Sequence, residues 1–265
     1  MTSDTITDTI PARRRAPIDL VSVPAPGNVA QCKTACSSCN LRELCRPCCG
    51  LNRSERDLAE RLGYNRSQLR RGDTLYRSGE RFTSLYAVRN GFFKSVAVLE
   101  NGRDQVTGFS MTGEVLGMDG IAPERHSFNA IALEDSEVCA IPFAGLQALA
   151  QEIPGLQRHF VKMMSREIAR GHGVMLQLGT MNAEERLAMF LLDLARRFAA
   201  RGCSPSEFNL RMSRGEIGSY LGLKLETVSR AFSRFQEQRL IAVQQKLIRI
   251  LNSAGLERVM GRELD

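Results

Sequence analysis

The chain of 265 residues has no tryptophan, only 6% aromatic residues, and no apolar run approaching the roughly 18 residues that a membrane-spanning helix needs. A transmembrane helix is thereby excluded, and no membrane partner is expected. The first thirty residues contain Pro, Asp and the triplet Arg13-Arg14-Arg15 but no apolar core of roughly 7 to 15 residues, which argues against a secretory signal and for a cytoplasmic protein. No glycine-rich phosphate loop, nucleophile triad or paired-carboxylate motif stands out, so an enzyme is not expected.

The composition is that of a globular protein, 43% hydrophobic, with 36 Lys+Arg against 29 Asp+Glu for a formal net charge of +7. At about 100 to 200 residues per domain the length suits two domains, each able to bury a core. The basic excess permits phosphate-rich partners without requiring them. The cysteines say more, because six of the eight fall between positions 32 and 49. In a reducing compartment such a cluster reads as metal ligands or redox groups before a disulfide framework. Cys36, Cys39 and Cys45 bring three soft thiolates into one short loop, which suits an iron-sulfur cluster or, with a fourth ligand, zinc. Cys32, Cys48 and Cys49 nearby, or Cys139 in the predicted strand Glu-Val-Cys-Ala-Ile-Pro-Phe, are the candidates for the remaining position, and spacing alone does not choose between them.

Residues 1–31 carry too little apolar content to offset chain entropy and read as a flexible leader, followed by the cysteine-rich segment over 32–50. Between Leu69 and Phe143 short apolar or alternating runs (85–88, 92–99, 106–109, 130–133, 138–143) are punctuated by Gly72-Asp73, Gly79-Glu80, Asn90-Gly91, Asn101-Gly102 and Gly113-Glu114. Those pairs predict positive-φ turns, and the pattern predicts an antiparallel barrel or jelly roll over 51–153. After Pro154 the period changes. Val161, Met164, Ile168, Gly171, Met175 and Leu178 recur at spacings of three and four, the seam of a coiled coil, with Phe160, Met163 and Val174 beside it. One helix with two apolar faces can pack on its own domain and on a partner, so 154–180 reads as a dimerisation helix. Asn182-Ala183-Glu184-Glu185 then caps a further helix running through Phe198.

In 181–265, Ser213-Arg214-Gly215-Glu216 is a capping box opening a short helix that ends near Leu221-Gly222. A second helix follows at once. Leu225, Val228, Phe232 and Phe235 form its expected buried stripe, while Glu226, Ser229 and Arg230 share another face. Short helix, glycine turn and polar-faced helix make a helix-turn-helix, and Leu-Ile-Ala-Val-Gln-Gln-Lys-Leu-Ile-Arg-Ile-Leu reads as a wing hairpin. In the major groove of double-stranded DNA an Arg can take a guanine bidentately, a Glu can accept from a cytosine amine, and a Ser serves several edges. Lys224, Arg214 and Arg234 stand close by as basic support.

The cysteine pattern from Cys32 to Cys45, the strand around Cys139, the run from Asn182 and the segment Ser-Arg-Gly-Glu-Ile-Gly-Ser-Tyr-Leu-Gly-Leu-Lys-Leu-Glu-Thr-Val-Ser-Arg from Ser213 resemble the FNR family of oxygen-responsive transcription regulators within the cyclic-AMP receptor protein superfamily. The resemblance covers residues 32 to about 252. It implies an α+β chain: a jelly roll like a cyclic-nucleotide-binding domain, a long dimerisation helix and a C-terminal winged helix-turn-helix. It further implies a homodimer with one oxygen-labile 4Fe-4S cluster per subunit, ligated by Cys36, Cys39, Cys45 and Cys139 with Cys32 dispensable. Glu226, Ser229 and Arg230 match the family's base-reading positions, implying a two-fold site of the TTGAT-N4-ATCAA kind, and RNA polymerase is an expected partner.

Three positions depart from that pattern. His126-Ser127 stands where the superfamily's nucleotide readers place Arg-Ser, so a cyclic nucleotide effector is not expected, and His126 itself reads as a surface loop residue. The seam has Gly171 where well-known members carry an acidic residue. Cys48 and Cys49 sit where the family usually has none, and together with Cys203 they read as bystanders.

Overall fold

Strands of alternating apolar and polar residues build the first half of the computed structural model, which describes residues 65–99 and 102–261. The expected leader and cysteine-rich segment, with Cys32, Cys36, Cys39, Cys45, Cys48 and Cys49, lie outside the described residues. The strands are β1 (Asn65–Leu69), β2 (Thr74–Tyr76), β3 (Ser84–Asn90), β4 (Phe92–Val98), β5 (Asp104–Met111), β6 (Val115–Leu116), β7 (Asn129–Ala132) and β8 (Ser136–Pro142). They form two four-stranded antiparallel sheets in the orders β1-β8-β3-β6 and β2-β7-β4-β5. All five turn glycines expected from the sequence, Gly72, Gly79, Gly91, Gly102 and Gly113, have positive φ.

Because side chains alternate across a strand, each sheet offers one face to the interior and one outward. Val88, Phe93, Ala130, Ala132 and Val138 close the interior between the sheets. The outer face of the first sheet, with Leu85, Ala87, Cys139 and Ile141, is covered by α1 (Phe143–Glu152) through Leu146 and Leu149, and by Ile153, Leu156, Phe160 and Met163 at the start of α2 (Pro154–Thr180). The outer face of the second sheet, with Phe92, Val96, Val106, Phe109 and Met111, is covered by the C-terminal domain. The run 138–143 therefore divides: strand β8 stops at Pro142, and Phe143 opens α1, a helix whose short apolar segment resembles a strand in sequence.

Helix α2 starts with Pro154 in its first turn, where the missing N–H costs nothing, and runs 27 residues, about 40 Å. Beyond it come α3 (Ala183–Ala199), β9 (Glu207–Asn209), α4 (Arg214–Leu221), α5 (Leu225–Glu237), the hairpin β10 (Ile241–Gln244) with β11 (Leu247–Ile250), and α6 (Ser253–Val259). β9 joins the hairpin in the order β10-β11-β9 and completes the wing sheet. None of the helices among the described residues is long and apolar enough to cross a membrane.

Candidate functional site

Both predicted capping boxes are formed. Asn182 accepts from the amides of Glu184 and Glu185 while Glu185 returns to the Asn182 amide, and Ser213 and Glu216 do the same for α4. Helix α4 ends on Gly222 at φ 65°, a left-handed cap. A Cβ on Gly218 would lie 2.6 Å from the carbonyl oxygen of Leu223, so only glycine lets the chain fold back this tightly between α4 and α5.

That turn presents α5 with its buried side on Val228, Ala231, Phe232 and Phe235. Leu225, expected in this stripe, is 49% exposed in the first turn of the helix, and Ala231 joins the buried side. Glu226, Ser229 and Arg230 are all exposed on the outward face, and Lys224 is exposed at the helix start. Arg234 is drawn away to an ion pair with Glu184 of α3.

Arg214 behaves differently from the other basic residues. Its guanidinium lies over the Phe232 ring, 3.1 Å from the centroid, with Nη1 buried and without a hydrogen-bond partner. Burial pushes its pKa down to about 10, which still leaves it charged at neutral pH.

The reading unit is fastened to the β-roll by polar contacts that the sequence did not advertise. Strand β5 is the edge of its sheet, and α4 covers that edge: the Val106 amide donates to Ser219 Oγ at 2.9 Å, and Gln105 donates to the Ser219 carbonyl. Lys94 Nζ donates to Glu216 at 2.7 Å. At the Gly113 turn, Glu114 accepts from Arg197 in the last turn of α3 at 3.0 and 2.6 Å and from Arg201 just beyond that helix at 2.6 Å, and lies 3.7 Å from Arg170 of α2. Burial raises the Glu114 pKa, but Arg197, Arg201 and Arg170 outweigh it and hold the carboxyl below its usual range. One carboxylate thus joins the roll, the long helix and the C-terminal domain. Charged residues 83 to 87 positions apart leave no local pattern to find.

Of the predicted seam on α2, Val161, Ile168, Met175 and Leu178 are 57%, 58%, 64% and 38% exposed, Gly171 is exposed, and Met164 is half-buried. The flanking set does turn inward: Phe160 and Met163 pack on the α1 core, and Val174 is half-buried.

Cys139 lies in the middle of β8, paired with Arg66 of β1 and Ala87 of β3, and its side chain is buried in the layer shared with Ile153 and Leu156. Among the described residues no group of three or more His, Cys, Asp and Glu could hold a metal ion.

His126 is not on the surface. It is 3% exposed, stacked on Tyr76 at 3.7 Å between ring centroids, edge-on to Phe82, with Nδ1 3.8 Å from Asp119. Burial lowers its pKa and favours the neutral ring. The loop buries its aromatic ring because Tyr76 and Phe82 supply a stacking slot that the sequence separation concealed. Arg125 turns instead to the carbonyl of Gly79 at 2.8 Å.

Residues 185–259 match the Crp-like helix-turn-helix domain, and residues 66–152 match the cyclic nucleotide-binding domain. Among curated proteins, the chain is 43% identical over 230 residues to the fumarate and nitrate reduction regulatory protein of Salmonella typhimurium, covering 87% of this chain and 92% of that one. It is 42% identical over 236 residues to the transcriptional activator protein FnrA of Stutzerimonas stutzeri, covering 89% and 96%. It is 44% identical over 228 residues to the transcriptional regulatory protein btr of Bordetella pertussis, covering 86% and 94%. Among solved structures, FixK2 from Bradyrhizobium japonicum superposes with a TM-score of 0.70 at 30% identity, covering 77% of this chain and all of that one. A jelly roll, a long helix and a capped helix-turn-helix, with relatives this similar along nearly their whole length, place the chain in the Crp/Fnr family of transcription regulators, among its FNR-type members and not among enzymes.

Proposed function

We propose that this DNA-binding regulator senses oxygen. In this reading Cys36, Cys39, Cys45 and Cys139 hold a 4Fe-4S cluster, one per subunit, and a homodimer paired along α2 reads a palindromic site of the TTGAT-N4-ATCAA kind. The observation that carries the reading is the position of Cys139. It shares one buried layer with Ile153, Leu156, Phe160 and Met163, so a constraint on β8 bears directly on the root of the helix whose apolar seam stands exposed.

Bound to those four thiolates, the cluster supplies a bond between the N-terminal segment and β8 that oxygen can destroy. The chain's own residues do the rest. The outer layer of β8 and α1 sets how α2 leaves the roll, Val161, Ile168, Met175 and Leu178 pair with the same residues of a second copy, and pairing brings two α5 helices to one face of the duplex. Glu226, Ser229 and Arg230 read base edges, while Lys224 and Arg214 take phosphates. Without the cluster the copies separate, DNA is released, and genes for anaerobic or microaerobic growth change expression through RNA polymerase. The same cysteines used as a structural zinc site or thiol-disulfide switch form the second reading. No cyclic nucleotide is invoked, since the buried His126 offers no guanidinium to a phosphate.

The Cys139→Ser variant separates these readings. The proposal expects lost iron and sulfide and weak, oxygen-independent DNA binding. Retention of the full iron load would remove Cys139 from the ligand set, and stoichiometric zinc in the wild type would favour the second reading.

A further inference from the structure

Only Met181 and Asn182 separate α2 from α3, and one side chain spans this joint. Arg186 donates through Nε to the carbonyl of Met181 at 2.8 Å, through Nη2 to Leu178 at 2.8 Å, and through Nη1 to Leu221 at 3.0 Å. Leu178 and Leu221 lie in the last turns of α2 and α4, where carbonyls lack an intrahelical donor and the helix dipole favours a cation. Buried Gln177 closes the joint from the other side, its amide donating to the Arg186 carbonyl at 3.0 Å. At Gly222 a Cβ would sit 3.5 Å from both Arg186 Nη1 and Leu178, so the turn of the helix-turn-helix rests on this guanidinium. The reading helix α5 begins three residues later, at Leu225.

We propose that Arg186 is a positioning residue that fixes the angle at which α5 projects from the dimerisation helix, and so sets the half-site spacing the protein accepts. A planar fork satisfied by three carbonyls holds one orientation, whereas a single ammonium would hold a range. The far end of α3 is separately fastened to the roll by Arg197 and Arg201 on Glu114, so loss of Arg186 loosens the joint without releasing the domain. The inference rests on the symmetric dimer proposed above. In such a dimer each α5 is carried at the end of α2. One extra base pair between half-sites moves them about 3.4 Å apart and turns them by about 35°, which only a loose joint follows.

The test measures binding of the full chain, purified without oxygen, to a palindrome with its native spacer, to spacers one base pair shorter and longer, and to a single half-site. Wild type is expected to prefer its native spacer by about tenfold or more, the scale of one mismatched base pair. Arg186→Gln is expected to lose that preference while keeping the wild-type affinity for a single half-site and the same dimer mass in solution. Arg186→Lys, which preserves the charge and covers the case in which the glutamine variant fails to fold, is expected to fall between. Variants that dimerise and keep the full spacer preference overturn the inference, as does a loss of single half-site affinity equal to the loss on the palindrome. A wild-type chain that binds as a monomer with no spacer preference overturns the dimer reading itself, a result distinct from either of these.

Discussion

Helices α5 and α2 carry the same kind of apolar periodicity in sequence and meet opposite fates in the fold. In α5, Val228, Ala231, Phe232 and Phe235 are all buried within their own domain, whereas in α2 the seam of Val161, Ile168, Met175 and Leu178 is left to solvent. A periodic stripe says that something covers a helix but not whether the cover comes from the same chain. In α5 the exposed face is polar and suits DNA. In α2 the exposed face is apolar, spans several turns, and suits a second copy.

This contrast can be broken by substitution. Truncating the α5 stripe with Phe235→Ala should cost about 3 to 5 kcal/mol of unfolding free energy, measured in denaturant, because Phe235 is fully buried. Next comes the clasp between the roll and the C-terminal domain. Glu114→Gln leaves three arginines around a neutral amide and should cost about 3 kcal/mol, the lower end for a broken buried pair, given its partly exposed partners. The same group predicts a pH dependence. Its folded pKa is depressed, so its contribution is fully present above the unfolded value of about 4.3 and is lost as pH falls through the folded value. The acid limb of a stability profile should therefore flatten in Glu114→Gln.

Smaller effects sharpen the comparison. Arg230→Ala on the exposed face of α5 should leave stability unchanged, cost about 1 to 3 kcal/mol in operator binding, and relax preference at one base position; unchanged operator preference would remove Arg230 from the reading set. Ser213→Ala, removing the α4 cap, should lower stability by about 1 kcal/mol in thermal melts. Ile168→Ala, on the exposed seam of α2, is likewise expected to change the chain's own stability little. The change should stay within about 0.5 kcal/mol for unfolding of the separated chain, while sedimentation shows a weaker dimer. A large loss of monomer stability there would mean that α2 is covered by its own chain.

Much of this organisation was legible in the sequence. Glycine pairs marked the turns, Ser213 and Asn182 marked helix starts, and the spacing of Val228, Phe232 and Phe235 marked the inner face of α5, because each signal is carried by residues only a few positions apart. What escaped was long-range. The Glu114 clasp joins residues more than eighty positions apart. His126 is buried by Tyr76 and Phe82, more than forty positions earlier in the chain. Leu225 obeys the helical period but is 49% exposed in the first turn of α5, so periodicity alone counted it inward. Of the four proposed cluster ligands only Cys139 lies among the described residues, and its burial beside the root of α2 was hidden in a strand that reads simply as apolar.

The central claim is that oxygen, acting through the cysteines, decides whether the α2 seam is covered. Its most direct test follows iron and acid-labile sulfide, solution mass and operator affinity together, on protein purified without oxygen and then exposed to air. The account predicts a cluster's full complement of iron and sulfide in a tight-binding dimer, and on exposure to air a parallel loss of iron, dimer and DNA binding. A dimer that keeps its operator affinity in air, or that never held iron, would contradict it.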